Sequence, residues 1–220
     1  MYTPSQFREQ RPEVLAAAVR SIQLATLITG TPEGYQASHV PMVLKREGDA
    51  WVLETHVARP NPHWTVLQAG SLASLAVFQG PQAYVSPSWY ASKREHGRVV
   101  PTWNYIAVHA HGPLEMVDDQ AWLRAHLDDL TAANESHREH PWAVSDAPAE
   151  FIGNLTRAIV GLRLRVERLD GSWKMIQHRS DGDRHGTMEG LAASARGGDQ
   201  AVAEVMRHLE GSRASTSRDP

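Results

Sequence analysis

Apolar positions recur along this chain with two different periods, and the places where the period changes mark its elements. Behind Pro12, in EVLAAAVRSI, the residues Val14, Leu15, Ala18, Val19 and Ile22 fall at helical spacing. Thr3 and Pro4 give an earlier cap and first-turn proline of the same kind. Residues 24 to 29, LATLIT, then read as a strand that ends in the turn signal TPEG, and 35 to 46 read as its partner, interrupted at Pro41. A third strand, WVLETHV, follows the polar turn REGDA, and Asn61 is placed to cap a short helix that begins at Pro62.

The second half repeats this grammar. Residues 71 to 79 and 83 to 86 are strand-like on either side of Gly80-Pro81, and 103 to 117 is the longest strand candidate. Alternation along it puts Ile106, Val108 and Ala110 on one face and Tyr105, Ala107, His109 and His111 on the other. From Asp118 to about Ser136 the stripe Trp122, Leu123, Leu127 and Leu130 predicts an amphipathic helix. Residues 159 to 168 and 172 to 177 flank Asp170-Gly171, a hairpin signal. A last helical stretch, about 185 to 210, is interrupted at Gly197-Gly198, and the polar residues 211 to 220 predict a disordered tail.

Strands at the centre with helices at the start, middle and end lack the regular alternation of a parallel α/β sheet. The fold expected is mainly β with peripheral helices, an antiparallel barrel or sandwich in one domain over residues 1 to 210. Composition narrows function only by exclusion. With 220 residues and a formal charge of -3, nothing pulls the whole molecule to nucleic acid or an anionic membrane. The apolar runs are too short to span a bilayer and the N-terminus lacks a signal-peptide pattern, so the expected address is the cytoplasm. The absence of cysteine removes disulfides, thiolate catalysis and cysteine-ligated metals.

Candidate chemistry concentrates in residues 80 to 112. Trp89, Tyr90, Trp103 and Tyr105 are interleaved there with Ser86, Ser88, Lys93, Thr102 and Asn104. Such rings could cover a flat ligand, with Asn104 and Gln177 at its polar edge and Arg59, Lys93 and Arg179 neutralising an anion. The same rings would serve equally well to fill a barrel or a subunit interface. Arg59 and Asn61 lie at a strand-to-helix junction whose free N–H groups suit an anion. His109 and His111 could face one ion, but no third ligand follows, and no metal site is expected. No nucleophile elbow, phosphate loop or dinucleotide motif is present. Residues 192 to 209, with Arg196 and Arg207, are the only place for a DNA-reading helix, and they carry acidic residues too.

The blocks ASHVPMVL (37 to 44), HVARPNPHW (56 to 64), AYVSPSWYASK (83 to 93), VVPTWNYIAVHAHG (99 to 112) and KMIQHR (174 to 179) together resemble the PaiB-type FMN-binding negative transcriptional regulators. The resemblance implies an FMN-binding Greek-key split β-barrel, related to pyridoxamine-phosphate oxidase, that forms a homodimer with flavin near the subunit interface. It implies Arg59, beside Asn61, and then Lys93 as phosphate ligands, and Ser86, Trp89, Thr102, Trp103 and Asn104 as pocket walls, with Gln177 and Arg179 completing them. Ile176 and His178 depart from the pattern where serine and asparagine are expected. Direct DNA binding does not follow from the family, and two other activities fit the same pocket. One is a flavin-dependent oxidoreductase acting on a small molecule, the other a non-catalytic haem-binding protein with His109 or His111 as axial ligand.

Overall fold

The strands expected from the two-residue period form one antiparallel sheet in a computed structural model that describes residues 1 to 216, with side-chain surroundings as far as Gly211. The elements are β1 (Arg8–Glu9), α1 (Pro12–Ile22), β2 (Leu24–Thr31), β3 (Gly34–Pro41), β4 (Val43–Glu47), β5 (Ala50–Ala58), β6 (Leu72–Val85), α2 (Ser92–Glu95), β7 (Thr102–Val117), α3 (Gln120–Glu135), α4 (Ala149–Arg157), β8 (Ile159–Val166), β9 (Arg168–Lys174), α5 (Asp181–Ala192) and α6 (Gly197–Thr216). Short 3-10 turns cover Pro62–Leu67 and Pro87–Trp89. The strand order is β3-β2-β6-β7-β8-β5-β4, with β9 pairing β1 and β7. Neighbours far apart in sequence, β2 with β6 and β8 with β5, make the connectivity that of the split barrel. The chain divides into two compact units, each built from separate stretches.

The larger unit comprises Arg11–Phe78 and Val108–Asp170. Its strands bury alternate residues: Ala25, Leu27 and Thr29 on β2, Ser74, Ala76 and Phe78 on β6, Val108 and Ala110 on β7, and Val160, Leu162 and Leu164 on β8. β5 is covered on both faces because α3 packs on its outer side, which is why Val52 and Glu54 are as buried as Leu53 and Thr55. Asp119 caps α3 by accepting from the Trp122 N–H at 2.7 Å. Its deepest residues are Leu123 and His126, so a histidine completes a stripe that the apolar pattern alone left open. Trp122 lies directly over Gly161 of β8, where an added Cβ would come within 2.3 Å of the indole.

The smaller unit comprises Met1–Gln10, Gln79–Ala107 and the chain from Gly171 onward. Here β1 pairs with β9, Arg8 opposite Ser172 and Glu9 opposite Gly171, and α5 packs on α6 and on the turn Pro87–Trp89. α6 runs to Thr216, and of the expected disordered tail residues 217 to 220 lie outside the described residues.

Two local expectations give way to long-range pairing. Gly80-Pro81 does not separate two strands: β6 is continuous, and its buried positions pass from even (74, 76, 78) to odd (83, 85) across that pair. This phase slip is the signature of a bulge, which accommodates both glycine and proline inside a strand. Nor does Asp170-Gly171 make a hairpin. β8 takes β5 and β7 as its partners, and Glu167 donates its N–H to the His111 carbonyl at 2.9 Å. Asp170-Gly171 thus lies inside β9, whose partners are β1 and β7.

Candidate functional site

The smaller unit gathers most of the residues that the sequence singled out. Beyond the bulge, β6 leads into Ser86, whose Oγ accepts from the Ser88 N–H at 3.2 Å and so fixes the turn that carries Trp89 and Tyr90. Trp89 then lies on α5, against Gly186 and Gly190. Tyr90 is buried with the Arg179 guanidinium 4.9 Å over its ring, and burial pushes its phenol pKa up. The buried Asp183 accepts from both the N–H and the hydroxyl of Ser92, at 2.9 and 2.8 Å, and has Arg179 at 3.9 Å. Gln177 is occupied by its own backbone: its Oε1 accepts from the Met175 N–H at 2.8 Å, and its Nε2 donates to the Trp173 carbonyl. These contacts hold a kink at Ile176, which has a φ of 53°.

The start of β7 sorts its residues by the strand period. Asn104 points inward and is fully buried, with Nδ2 on the Met206 sulfur at 3.4 Å and Oδ1 without a partner among the described residues. Trp103 points outward, is 52% exposed and stands edge-on to Tyr84, itself 41% exposed, with ring centroids 6.3 Å apart. Beside them Lys174 donates to the Thr102 hydroxyl at 2.6 Å and the Trp103 carbonyl at 2.5 Å, and its Nζ lies 5.8 Å from the Tyr105 ring. Burial lowers the Lys174 pKa. Lys174 opens the KMIQHR block and Tyr84 lies in AYVSPSWYASK, so the blocks are the only signal that the sequence carries for either residue. Lys93 is exposed, with one hydrogen bond of 3.2 Å to Ser88.

Arg59 and Asn61 belong to the larger unit, and both are engaged there. Arg59 grips Asp118 with two hydrogen bonds of 3.1 and 2.5 Å and donates through Nε to the Arg157 carbonyl. The hydrogen bonds to Asp118 hold its guanidinium pKa up and that carboxyl below its usual range. Asn61 caps the turn at His63 and donates to Ser38 at 3.1 Å. It thereby joins a buried network in which His63 meets Ser38 at 3.0 Å and Thr29 at 2.9 Å, and Thr29 meets Ser74 at 2.8 Å. Burial lowers the His63 pKa. His109 and His111 share a face as the alternation predicts, with ring centroids 6.1 Å apart, but His111 Nε2 is 3.2 Å from Asp170. Among the described residues there is no cluster of three side chains able to hold a metal ion.

Residues 1–168 match the family described as "Putative FMN-binding domain". The chain belongs to this family. It is 30% identical over 206 residues, spanning 94% of this chain and 96% of the other, to "Protease synthase and sporulation protein PAI 2" of Bacillus subtilis. Among solved structures it is similar to the FAD and heme binding protein of Mycobacterium smegmatis, with a TM-score of 0.54, 16% identity, and 80% and 78% of the two chains covered. It is also similar to the flavocytochrome Anf3 of Azotobacter vinelandii, with a TM-score of 0.52, 12% identity, and 81% and 75% covered. At these identities the two structures support the fold, which is the split barrel expected from the sequence.

Membership of the family makes FMN the group against which the residues are tested. A flavin needs an apolar ring face, polar atoms at the ring edge and cations at its phosphate. Trp103 and Tyr84 form an exposed aromatic wall, Lys174 and Thr102 stand at its edge, and Lys93 is a cation with one side-chain hydrogen bond among the described residues. The residues present fit FMN on one side of its ring.

Proposed function

We propose that this protein is a cytoplasmic FMN-binding regulator that works as a homodimer. The observation that carries the reading is the Tyr84 and Trp103 wall, large rings left half in solvent beside a desolvated lysine in a chain of the FMN-binding family. In this reading Trp103 covers one face of the isoalloxazine with Tyr84 edge-on beside it, Lys174 and Thr102 meet its polar edge, and Lys93 meets the phosphate. Ser86, Trp89, Gln177 and Arg179 position that wall through the turn, α5 and the kink at Ile176. Arg59, the other phosphate candidate, is held by Asp118 within the larger unit. When bound, the flavin supplies one- and two-electron redox chemistry, while the protein supplies position and charge.

Surface arithmetic supports the homodimer. Ligand sites of this kind bury roughly 70–90% of the ligand, and an open wall covers only one face of a ring. A second copy is the simplest source of the other face. The regulatory role rests on the likeness to the Bacillus subtilis "Protease synthase and sporulation protein PAI 2".

The test is retention. Protein mixed with FMN and desalted at low salt should keep flavin absorbance near one equivalent per subunit and sediment as a dimer, whereas Trp103→Ala should retain several-fold less. Wild-type protein that keeps no flavin would remove the cofactor, and Trp103→Ala that keeps as much as wild type would remove the wall. Transcript profiles that match between a strain lacking the gene and its parent would remove the regulatory role.

A further inference from the structure

The larger unit contains a concave site that the flavin reading does not use. A cavity of about 410 Å³ lies between α3, α4 and the ends of β5 and β8, lined by Ala58, Leu127, Val144, Ile152 and Leu155 and by His56 and Thr131. Its size is that of a small-molecule pocket, and its walls are almost wholly apolar. Trp142 and Leu155, at its rim, are 46% and 48% exposed.

His56 is the polar group that gives this cavity a chemical preference. Its Nδ1 is 3.1 Å from Nε2 of His126, the rings meeting edge to face at 5.3 Å, and His126 is stacked under Trp122 at 5.4 Å. Burial lowers the pKa of both imidazoles, so both are neutral and share one proton across the contact. Among the described residues the buried Nδ1 of His126 has no partner. A buried N–H without an acceptor is rarer and costlier than a bare lone pair. The proton of His126 therefore sits on Nε2 and is donated to His56 Nδ1. That leaves His56 with its own proton on Nε2, the nitrogen that His126 does not occupy.

We infer that this cavity binds a small apolar molecule, aromatic or branched, through one hydrogen-bond acceptor such as a carbonyl oxygen, received by the His56 Nε2–H. An uncharged body is favoured because, among the described residues, no lysine, arginine or carboxylate lines the walls. The site lies wholly within the larger unit and stands whether or not flavin is bound, which suits an effector of a regulatory protein.

Acetophenone, a ring with one carbonyl, and ethylbenzene, its counterpart without the acceptor, are the probes. Titrated into the full-length protein and followed by methyl NMR, acetophenone should shift the Val144, Ile152 and Leu155 signals saturably. Ethylbenzene should bind about fivefold more weakly, the loss of one hydrogen bond. Thr131→Phe, which fills the cavity from the half-exposed face of α3, should abolish both, and Leu155→Trp at the rim is the second filling variant. His56→Phe should bring acetophenone down to the affinity of ethylbenzene. Absence of saturable shifts at about 1 mM acetophenone, or binding that survives both filling variants, overturns the site. Equal affinity for the two probes overturns the role of His56. Self-association that the filling variants abolish, with neither probe bound, would mean that a second copy covers this face and would also overturn the site.

Discussion

His126 shows how much a single side chain can carry that a hydropathy pattern does not see. It occupies a core position of α3, and burial first, then the neighbouring His56, lowers its pKa to about 4. A histidine neutral in the fold but free to protonate when unfolded, at about 6.5, makes the unfolded chain the better proton acceptor in acid. Its contribution is therefore complete above pH 6.5 and is lost as the pH falls towards 4. Between pH 7 and pH 5 the loss from His126 alone amounts to roughly 2 kcal/mol, at about 1.4 kcal/mol for each unit below 6.5. His56 and His63, lowered in the same direction by burial, add to it. Urea unfolding at the two pH values should show this slope in the wild type, and His126→Leu should flatten it by about the same roughly 2 kcal/mol. An unchanged slope in that variant would show that His126 is not the titrating group.

At the scale of elements, α5 is a helix whose sequence is misleading without its neighbour. Gly186 and Gly190 weaken it by propensity, and replacing an exposed helical glycine with alanine normally stabilises by about 0.5–1 kcal/mol. A Cβ on Gly190 would fall 2.5 Å from three indole atoms of Trp89, and one on Gly186 would fall 2.2 Å from the Trp89 carbonyl oxygen. Overpacking of this kind costs about 1–3 kcal/mol, which exceeds the gain in propensity. Gly190→Ala and Gly186→Ala should both lower the unfolding midpoint. Gly153→Ala on α4, where the nearest atom is the mobile end of Arg157 at 3.7 Å, should raise it. The same contrast explains what the sequence could disclose. The periods that define α1, α3 and β7 are local, and those elements lie within two residues of the expected bounds. The continuity of β6 and the separation of β8 from β9 depend on partners far along the chain, which no local period encodes. The SPSWY and KMIQHR blocks could be read as special but not in which sense, because Ser86, Gln177 and Arg179 spend their polar groups on the turn, α5 and the kink at Ile176, and the Trp89 ring lies against α5. The outward wall of Tyr84 and Trp103, with Lys174 beside it, emerges only when those blocks meet in space.

For the whole molecule the decisive feature is that neither unit is a continuous stretch of chain. β6 and β7 each begin in one unit and end in the other, so neither unit can unfold without severing strands that also belong to the second. Trp89, Trp103 and Trp173 report on the smaller unit and Trp51, Trp64, Trp122 and Trp142 on the larger. Tryptophan fluorescence and far-ultraviolet circular dichroism should therefore trace one coincident transition in urea, the behaviour of a single cooperative system. A ligand held by the folded state alone adds about 2.7 kcal/mol when present at a hundred times its dissociation constant. FMN at that ratio should move both traces together by that amount, and should move them far less in Trp103→Ala. Two separated transitions, only one of them shifted by FMN, would show instead that the units are energetically independent and that flavin binding belongs to one alone.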